Sequence, residues 1–193
     1  MAKPIQIAIF GSGNGTNAQR ITEFFSSKPE VKVCTIVSNK KDAYIMQRAK
    51  NLGIPYVYFS HKDFFETDNV LNYLKDKEID YVVLAGFLWL IPQNLLTAFP
   101  QRIINIHPAL LPKYGGKGMY GEHVHEAVIA NGEVQSGITI HFVDEHYDRG
   151  TIIFQATCEV SPNETPETLA KKVHKLEYEY FPQIIEKVVL GNM

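Results

Sequence analysis

Short apolar runs alternate with amphipathic stretches through the first 85 residues, and this rhythm limits the chain to few folds. The runs Ile5–Phe10, Val31–Val37, Ile54–Phe59 and Tyr81–Ala85 have the length and composition of buried strands. Between them, Asn17–Ser27, Ala43–Asn51 and Asp63–Lys77 read as helices. Ile21, Phe24 and Phe25 share a face of the first, and Phe64, Phe65, Val70, Leu71 and Leu74 are apolar positions of the third. Gly53 stands where a helix C-cap glycine is expected. Strands alternating with helices form βαβ units and a mostly parallel sheet.

The second half departs from that rhythm. After Gly86 come a short apolar segment, Phe87–Ile91, a helix from Pro92 to about Phe99 and a strand Arg102–Ile106. Pro108–Gly121 holds two prolines and four glycines, a long loop of the kind that carries function. His123–Ala130 reads as a helix. Ile138–Val143 and Thr151–Val160 read as strands, and their tight connection at Asp144–Gly150 predicts an antiparallel pair. Thr165-Pro166-Glu167 starts a helix that runs to about Leu190: a capping hydroxyl, proline at the first position, then an acid. No segment reads as a linker, so one domain spanning 1–193 is expected. The predicted fold is α/β: a Rossmann-like open twisted sheet, mostly parallel with an antiparallel C-terminal part, and helices on both faces.

Composition narrows the function. Nineteen Lys and Arg against 21 Asp and Glu leave a formal charge of −2, which gives no bulk electrostatic case for nucleic acid. Cys34 and Cys158 lie far apart in apolar stretches, which suggests neither a disulfide framework nor a CxxC metal site. No stretch nears the roughly 18 apolar residues of a membrane span, and Ile5–Phe10 is too short for a signal peptide. A reducing cytoplasm is the expected location.

Two motifs carry chemistry. Gly11-Ser12-Gly13-Asn14-Gly15-Thr16-Asn17 follows the first strand and opens the first helix. Glycines let backbone amides approach an anion, and the helix N-terminus adds partial positive charge. A dinucleotide fingerprint would want glycine at Thr16 and an acid after the second strand, where Val37-Ser38-Asn39-Lys40 stands. The expected ligand therefore carries one phosphate; the alternative is a tight turn with glycines for geometry alone. Asn105 and His107 stand at i and i+2 on the fifth strand, before Pro108. They face one side at the C-terminal end, where open α/β sheets place their sites; the alternative is a hydrogen-bonded core pair. Asp148, in Tyr147-Asp148-Arg149-Gly150, is an ordinary turn aspartate unless that turn folds back to His107, whose pKa it would raise. Glu122, His123, His125 and Glu126 cluster at a helix start, but two histidines two apart do not share a helix face, and no metal is expected. Strand alternation brings His141 near the site.

The segments GSGNGTN (Gly11–Asn17), SNK (Ser38–Lys40), VVLAGF (Val82–Phe87), NIHPALLPKY (Asn105–Tyr114) and ITIHFVDEHYDRGTII (Ile138–Ile153) resemble the folate-dependent formyltransferases over nearly the whole chain. The glycine loop points to the branch that acts on phosphoribosylglycinamide (GAR). The resemblance implies transfer of the formyl group of 10-formyltetrahydrofolate to the GAR amine, through a tetrahedral intermediate. Asn105 would donate to the oxyanion, and protonated His107, held charged by Asp148, would stabilise it and assist proton transfer. Activity would then fall as pH rises past the His107 pKa. Gly13, Asn14, Gly15, Thr16, Asn17, Pro108 and Glu177 would bind GAR. Leu88, Trp89, Leu90, Ile91, Asn105, Val143, Asp144 and Tyr147 would bind the folate. Core packing for Leu88–Ile91 and a solvated helix face for Glu177 are the alternatives. The implied partners are two small molecules, with no nucleic acid or membrane, on a monomer or weak homodimer.

Three positions depart from the family pattern. Gly115–Gly121 is longer and richer in glycine, Arg149 stands where many members have glycine, and Lys62 is the candidate for the family's folate-contacting arginine. Methionyl-tRNA formyltransferases and formyltetrahydrofolate deformylases share the same type of site, but each carries a further domain that is not expected here. A non-catalytic phosphate-binding module would leave Asn105, His107 and Asp148 unexplained.

Overall fold

The computed structural model describes residues 3–192; residues 1, 2 and 193 of the expected domain lie outside the described residues. In chain order the elements are β1 (Ile5–Phe10), α1 (Thr16–Phe25), β2 (Val31–Ser38), α2 (Tyr44–Asn51), β3 (Tyr56–Tyr58), α3 (His61–Phe65), α4 (Asn69–Asp76) and β4 (Tyr81–Leu84). There follow α5 (Gln93–Ala98), β5 (Ile103–His107), α6 (Glu122–Ala130), β6 (Gln135–Phe142), β7 (Ile152–Glu159) and α7 (Pro166–Val189). One seven-stranded sheet runs in the order β3-β2-β1-β4-β5-β6-β7. The first five of these are parallel, whereas β6 is antiparallel to β5 and β7 to β6. The expected fold class holds.

Period-two alternation on buried strands builds two cores. In β1, Ile7 and Ile9 pack with Ile21 and Phe25 of α1, Ile45 of α2 and Phe181 of α7. Ala8 and Phe10 face the other side, with Phe64 of α3, Leu71 and Leu74 of α4 and Leu95 of α5. Because β1 has β2 on one side and β4 on the other, the crossovers diverge there and leave a crevice at the strands' C-terminal ends. The loop after β1 crosses to the loop after β4 there, with Ser12 N–H donating to Gly86 O at 3.0 Å. Among the described residues no helix is long and apolar enough to cross a membrane.

The helix expected at Asp63–Lys77 is two helices. Ser60 and Asp63 form a reciprocal capping box that starts α3 at His61. Thr67 Oγ1 then donates to Asp63 O at 3.0 Å and accepts from Asn69 N–H at 3.2 Å. A threonine hydroxyl that satisfies backbone groups locally competes with helix continuation, and α4 begins at Asn69.

The glycines differ in what holds them. A Cβ on Gly137 would lie 1.9 Å from Ala156 O of the neighbouring strand, whereas one on Gly13 meets nothing within 4 Å. Gly137→Ala should therefore cost about 3 kcal/mol and Gly13→Ala no more than about 0.5 kcal/mol. Denaturant unfolding of the two variants checks this; equal losses would contradict the packing described.

Candidate active site

β5 brings Asn105 and His107 to one face at its C-terminal end. Because β6 runs antiparallel, His141 sits opposite Asn105 and Thr139 opposite His107. Asn105 Nδ2 lies 3.0 Å from His141 Nε2, and His141 Nδ1 lies 2.8 Å from Phe142 O. A carbonyl only accepts, so Nδ1 carries the proton and Nε2 accepts from Asn105. One Nδ2 hydrogen of Asn105 then remains for another acceptor. Thr139 Oγ1 donates to Ala109 O at 2.7 Å and accepts from Leu111 N–H at 2.9 Å. These bonds set the path of the chain as it leaves Pro108.

His107 is 3% exposed. Its Nε2 lies 2.7 Å from Tyr114 O and so carries a proton, while Nδ1 lies 3.6 Å from Asp148 Oδ1. The turn between β6 and β7 has folded back as expected. Asp148 has a left-handed backbone, φ 56°, tolerated by aspartate but uncommon outside glycine. Its Oδ2 accepts from Gly116 N–H at 2.9 Å, and Oδ1 also lies 3.7 Å from His141 Nε2. The expected trio meets, with His141 as a fourth member.

Burial and pairing act on His107 in opposite directions. Burial pulls the His107 pKa down; Asp148 and the Tyr114 carbonyl push it up, but burial outweighs them and the net shift is downward. Burial therefore disfavours the charged imidazole that Asp148 and the Tyr114 carbonyl favour. Burial pushes the Asp148 carboxyl up, yet its polar neighbours, the Gly116 amide among them, hold it below the usual range.

A cavity of about 330 Å³ opens on this trio, walled also by Gly86, Phe87, Leu88, Tyr147 and the loop from Gly116 to Gly121. Of the expected folate residues, Leu88, Asn105 and Tyr147 line it; Trp89, Leu90, Ile91, Val143 and Asp144 do not. Trp89 packs edge-on to Phe64 and Phe87, Leu90 is half-buried and Ile91 is buried. Val143 N–H bonds to Ile103 O, and Asp144 Oδ1 accepts from His146 N–H. Arg149 is exposed and lines a further cavity with Gly116, Tyr147 and Asp148; Lys62 is exposed and lines neither the trio's cavity nor its neighbour at the glycine loop.

That neighbour, about 180 Å³, gathers Gly13, Asn14, Gly15, Thr16, Asn17, Pro108 and Glu177. The two share Gly86, Ile106 and Gly121 as a common wall. Gly15 caps α1 with φ 79° and no side-chain cap bond, so the helix's first amides open on this space. The geometric reading of the glycine loop holds at two of its positions. A Cβ on Gly11 or Gly15 would strike Ile45 at 2.4 or 2.6 Å, whereas Gly13 has open space. Ser12 turns inward, accepting from Leu88 N–H at 3.0 Å. Glu177 does not lie on a solvated face. It is 6% exposed, Asn17 Nδ2 donates to it at 2.9 Å, and burial raises its pKa despite that bond.

His174 also lines this second cavity, and no expectation singled it out. Its spacing of three from Glu177 on α7, one helix face, was the available signal. The Glu122–Glu126 cluster splits as its spacing implied: His123 is exposed and pairs with Glu126 at 3.3 Å, while His125 is buried. Burial, with the charges of His174 and His107, lowers the His125 pKa to about 4.

Residues 5–185 match the family described as formyl transferase. The chain is 42% identical to the chloroplastic phosphoribosylglycinamide formyltransferase of Arabidopsis thaliana over 93% of its length, and spans 64% of that relative. It is 35% identical to the phosphoribosylglycinamide formyltransferase of Haemophilus influenzae, covering 97% of this chain and 89% of the relative. The crystal structure of glycinamide ribonucleotide transformylase 1 from Symbiobacterium toebii superposes with a TM-score of 0.89 at 31% identity, over 99% of this chain and 90% of that one. The chain belongs to the formyl transferase family, in its phosphoribosylglycinamide formyltransferase branch.

Proposed function

We propose that this chain, as one domain, transfers the formyl group of 10-formyltetrahydrofolate to the amine of GAR. The observation that carries the proposal is the shared wall of the two cavities. One holds Asn105, His107 and Asp148, and the other holds the uncapped helix start and glycine loop. A phosphate at the loop sends the rest of a small substrate along the crevice to the trio. The family match and the named relatives support formyl transfer as the chemistry. We extend the proposal to a monomer or weak homodimer in the cytoplasm, on composition; the Arabidopsis relative is named chloroplastic.

In the proposed reaction the GAR amine attacks the formyl carbon. A C–N bond forms, and the carbonyl oxygen becomes an oxyanion that takes the free Nδ2 hydrogen of Asn105. The attacking nitrogen is now cationic. Neutral His107 accepts its proton at Nδ1, and Asp148, 3.6 Å away, stabilises the imidazolium that forms. Collapse breaks the bond between the formyl carbon and N10 of the folate, and His107 returns the proton to that nitrogen. His107 thus carries charge within the intermediate and not before it. His141 positions Asn105, and Leu88 and Tyr147 would meet the pteridine. No metal enters these steps.

The test is to mix protein, GAR and a 10-formyl folate and follow the absorbance of deformylated folate. Release that requires GAR is expected; GAR-independent release would mean a deformylase, and binding without turnover a non-catalytic module. Asn105→Ala should lower kcat about a hundredfold or more.

A base must be neutral to act, so the rate should rise as pH climbs through the His107 pKa, which burial holds below its ordinary value. Asp148→Asn removes a group that raises that pKa. The rising limb should move to lower pH while the plateau falls. A limb that stays in place in a pH–rate profile would exclude the pairing.

Glu177 favours its neutral form when folded, because its pKa is raised. Its contribution to stability is present at low pH and is lost as pH rises through that raised pKa. Glu177→Gln should therefore melt above the wild type by a few degrees at pH 8, with the gain vanishing near pH 4, and should bind GAR less tightly. Thermal melts across that range decide it; a gain that does not depend on pH would show that ionisation is not the cause.

A further inference from the structure

The glycine loop of the second cavity is held from behind by α2. Ile45 N–H donates to Gly13 O at 3.1 Å. Arg48, one turn on, reaches the next residue with a fork: Nε donates to Asn14 O at 2.8 Å and Nη2 to Asn14 Oδ1 at 2.8 Å. Its Nη1 donates to Gln19 Oε1 on α1, and its guanidinium lies over the Tyr44 ring at 4.9 Å. Arg48 itself lines neither cavity.

Peptide planarity gives this arrangement a consequence. In a trans peptide the C=O of one residue and the N–H of the next point in opposite directions. Drawing the Gly13 carbonyl toward α2 turns the Asn14 N–H away from α2. Drawing the Asn14 carbonyl toward Arg48 does the same to the Gly15 N–H. Neither amide donates to another group among the described residues, and both residues line the small cavity. An anion there would meet two amides, the first aimed through the Ile45 backbone and the second through the Arg48 side chain, which the anion never touches. The same fork occupies Asn14 Oδ1, so this acceptor oxygen is kept off the anion.

We infer that Arg48 is the positioning residue for the anion loop, setting affinity for the phosphate end of the substrate through the forked contact with Asn14. The inference rests on the GAR reading above and adds a residue to it. A fork fits two acceptors at once; a lysine ammonium offers a point charge and cannot reproduce it.

Steady-state kinetics with GAR and 10-formyl folate varied separately test it. Arg48→Lys and Arg48→Met should each raise KM for GAR about tenfold, the worth of one charge-assisted hydrogen bond. Both kcat and KM for the folate should stay within about twofold, the pattern of lost uniform binding. Asn14→Ala should raise KM for GAR as well, and Arg48→Met combined with it should add little more, because both remove one contact. Full activity in Arg48→Lys would mean that charge alone is needed and overturns the positioning role. An unchanged KM for GAR, additive losses in the double variant, or a rise in folate KM with a lowered Tm would overturn it too. Wild-type protein that turns over folate without saturating in GAR would remove the functional reading first, and is distinguishable because it shows before any variant is made.

Discussion

The reversal of strand direction between β5 and β6 is the constraint on which the site depends. The parallel strands deliver Asn105 and His107 to the C-terminal edge of the sheet. Because β6 runs the other way, His141 stands across from Asn105, and the connection to β7 emerges at the edge where His107 ends. That connection carries Asp148. One change in hydrogen-bond polarity therefore assembles four polar side chains from three segments.

The charges of the site are governed by burial as much as by pairing. His107 lies near a carboxylate, yet its lost hydration outweighs the attraction across 3.6 Å. Glu177 is the reverse case: a carboxyl placed where its charge is disfavoured, with one amide to steady it. Around both groups the backbone supplies much of the polar surface, from the loop after β1 to Gly116 and Tyr114.

Much of the fold was legible in the chain. Each strand of the sheet was found within a few residues, and the antiparallel C-terminal pair followed from the short Asp144–Gly150 connection. The break at Thr67 was missed, because the apolar spacing of Phe64, Leu71 and Leu74 continues across it while a local side-chain bond ends the helix. In the site, Asn105 and His107 were visible as polar residues on an apolar strand. Asp148 looked like any turn aspartate until family resemblance gave it weight. Trp89 and Ile91 sit in the core and outside the cavity wall, and periodicity does not separate a buried apolar residue from one that meets a ligand. His174 and Arg48 sit on helices in ordinary surroundings, and nothing in their local sequence marks what they face.

The sequence alone determined the class of sheet, the order of its elements, the position of the glycine turn after β1 and the polar pair on β5. These are local properties, set by hydrophobic period, glycine placement and capping chemistry over a few residues. Only the tertiary structure decided which distant groups meet: Asp148 with His107, Asn17 with Glu177 and Arg48 with Asn14, pairs separated by 41, 160 and 34 positions. It also decided which of them carry charge, because a pKa depends on the water excluded from a group and the partners left beside it. Those depend on how the layers close over the sheet, which no local pattern encodes.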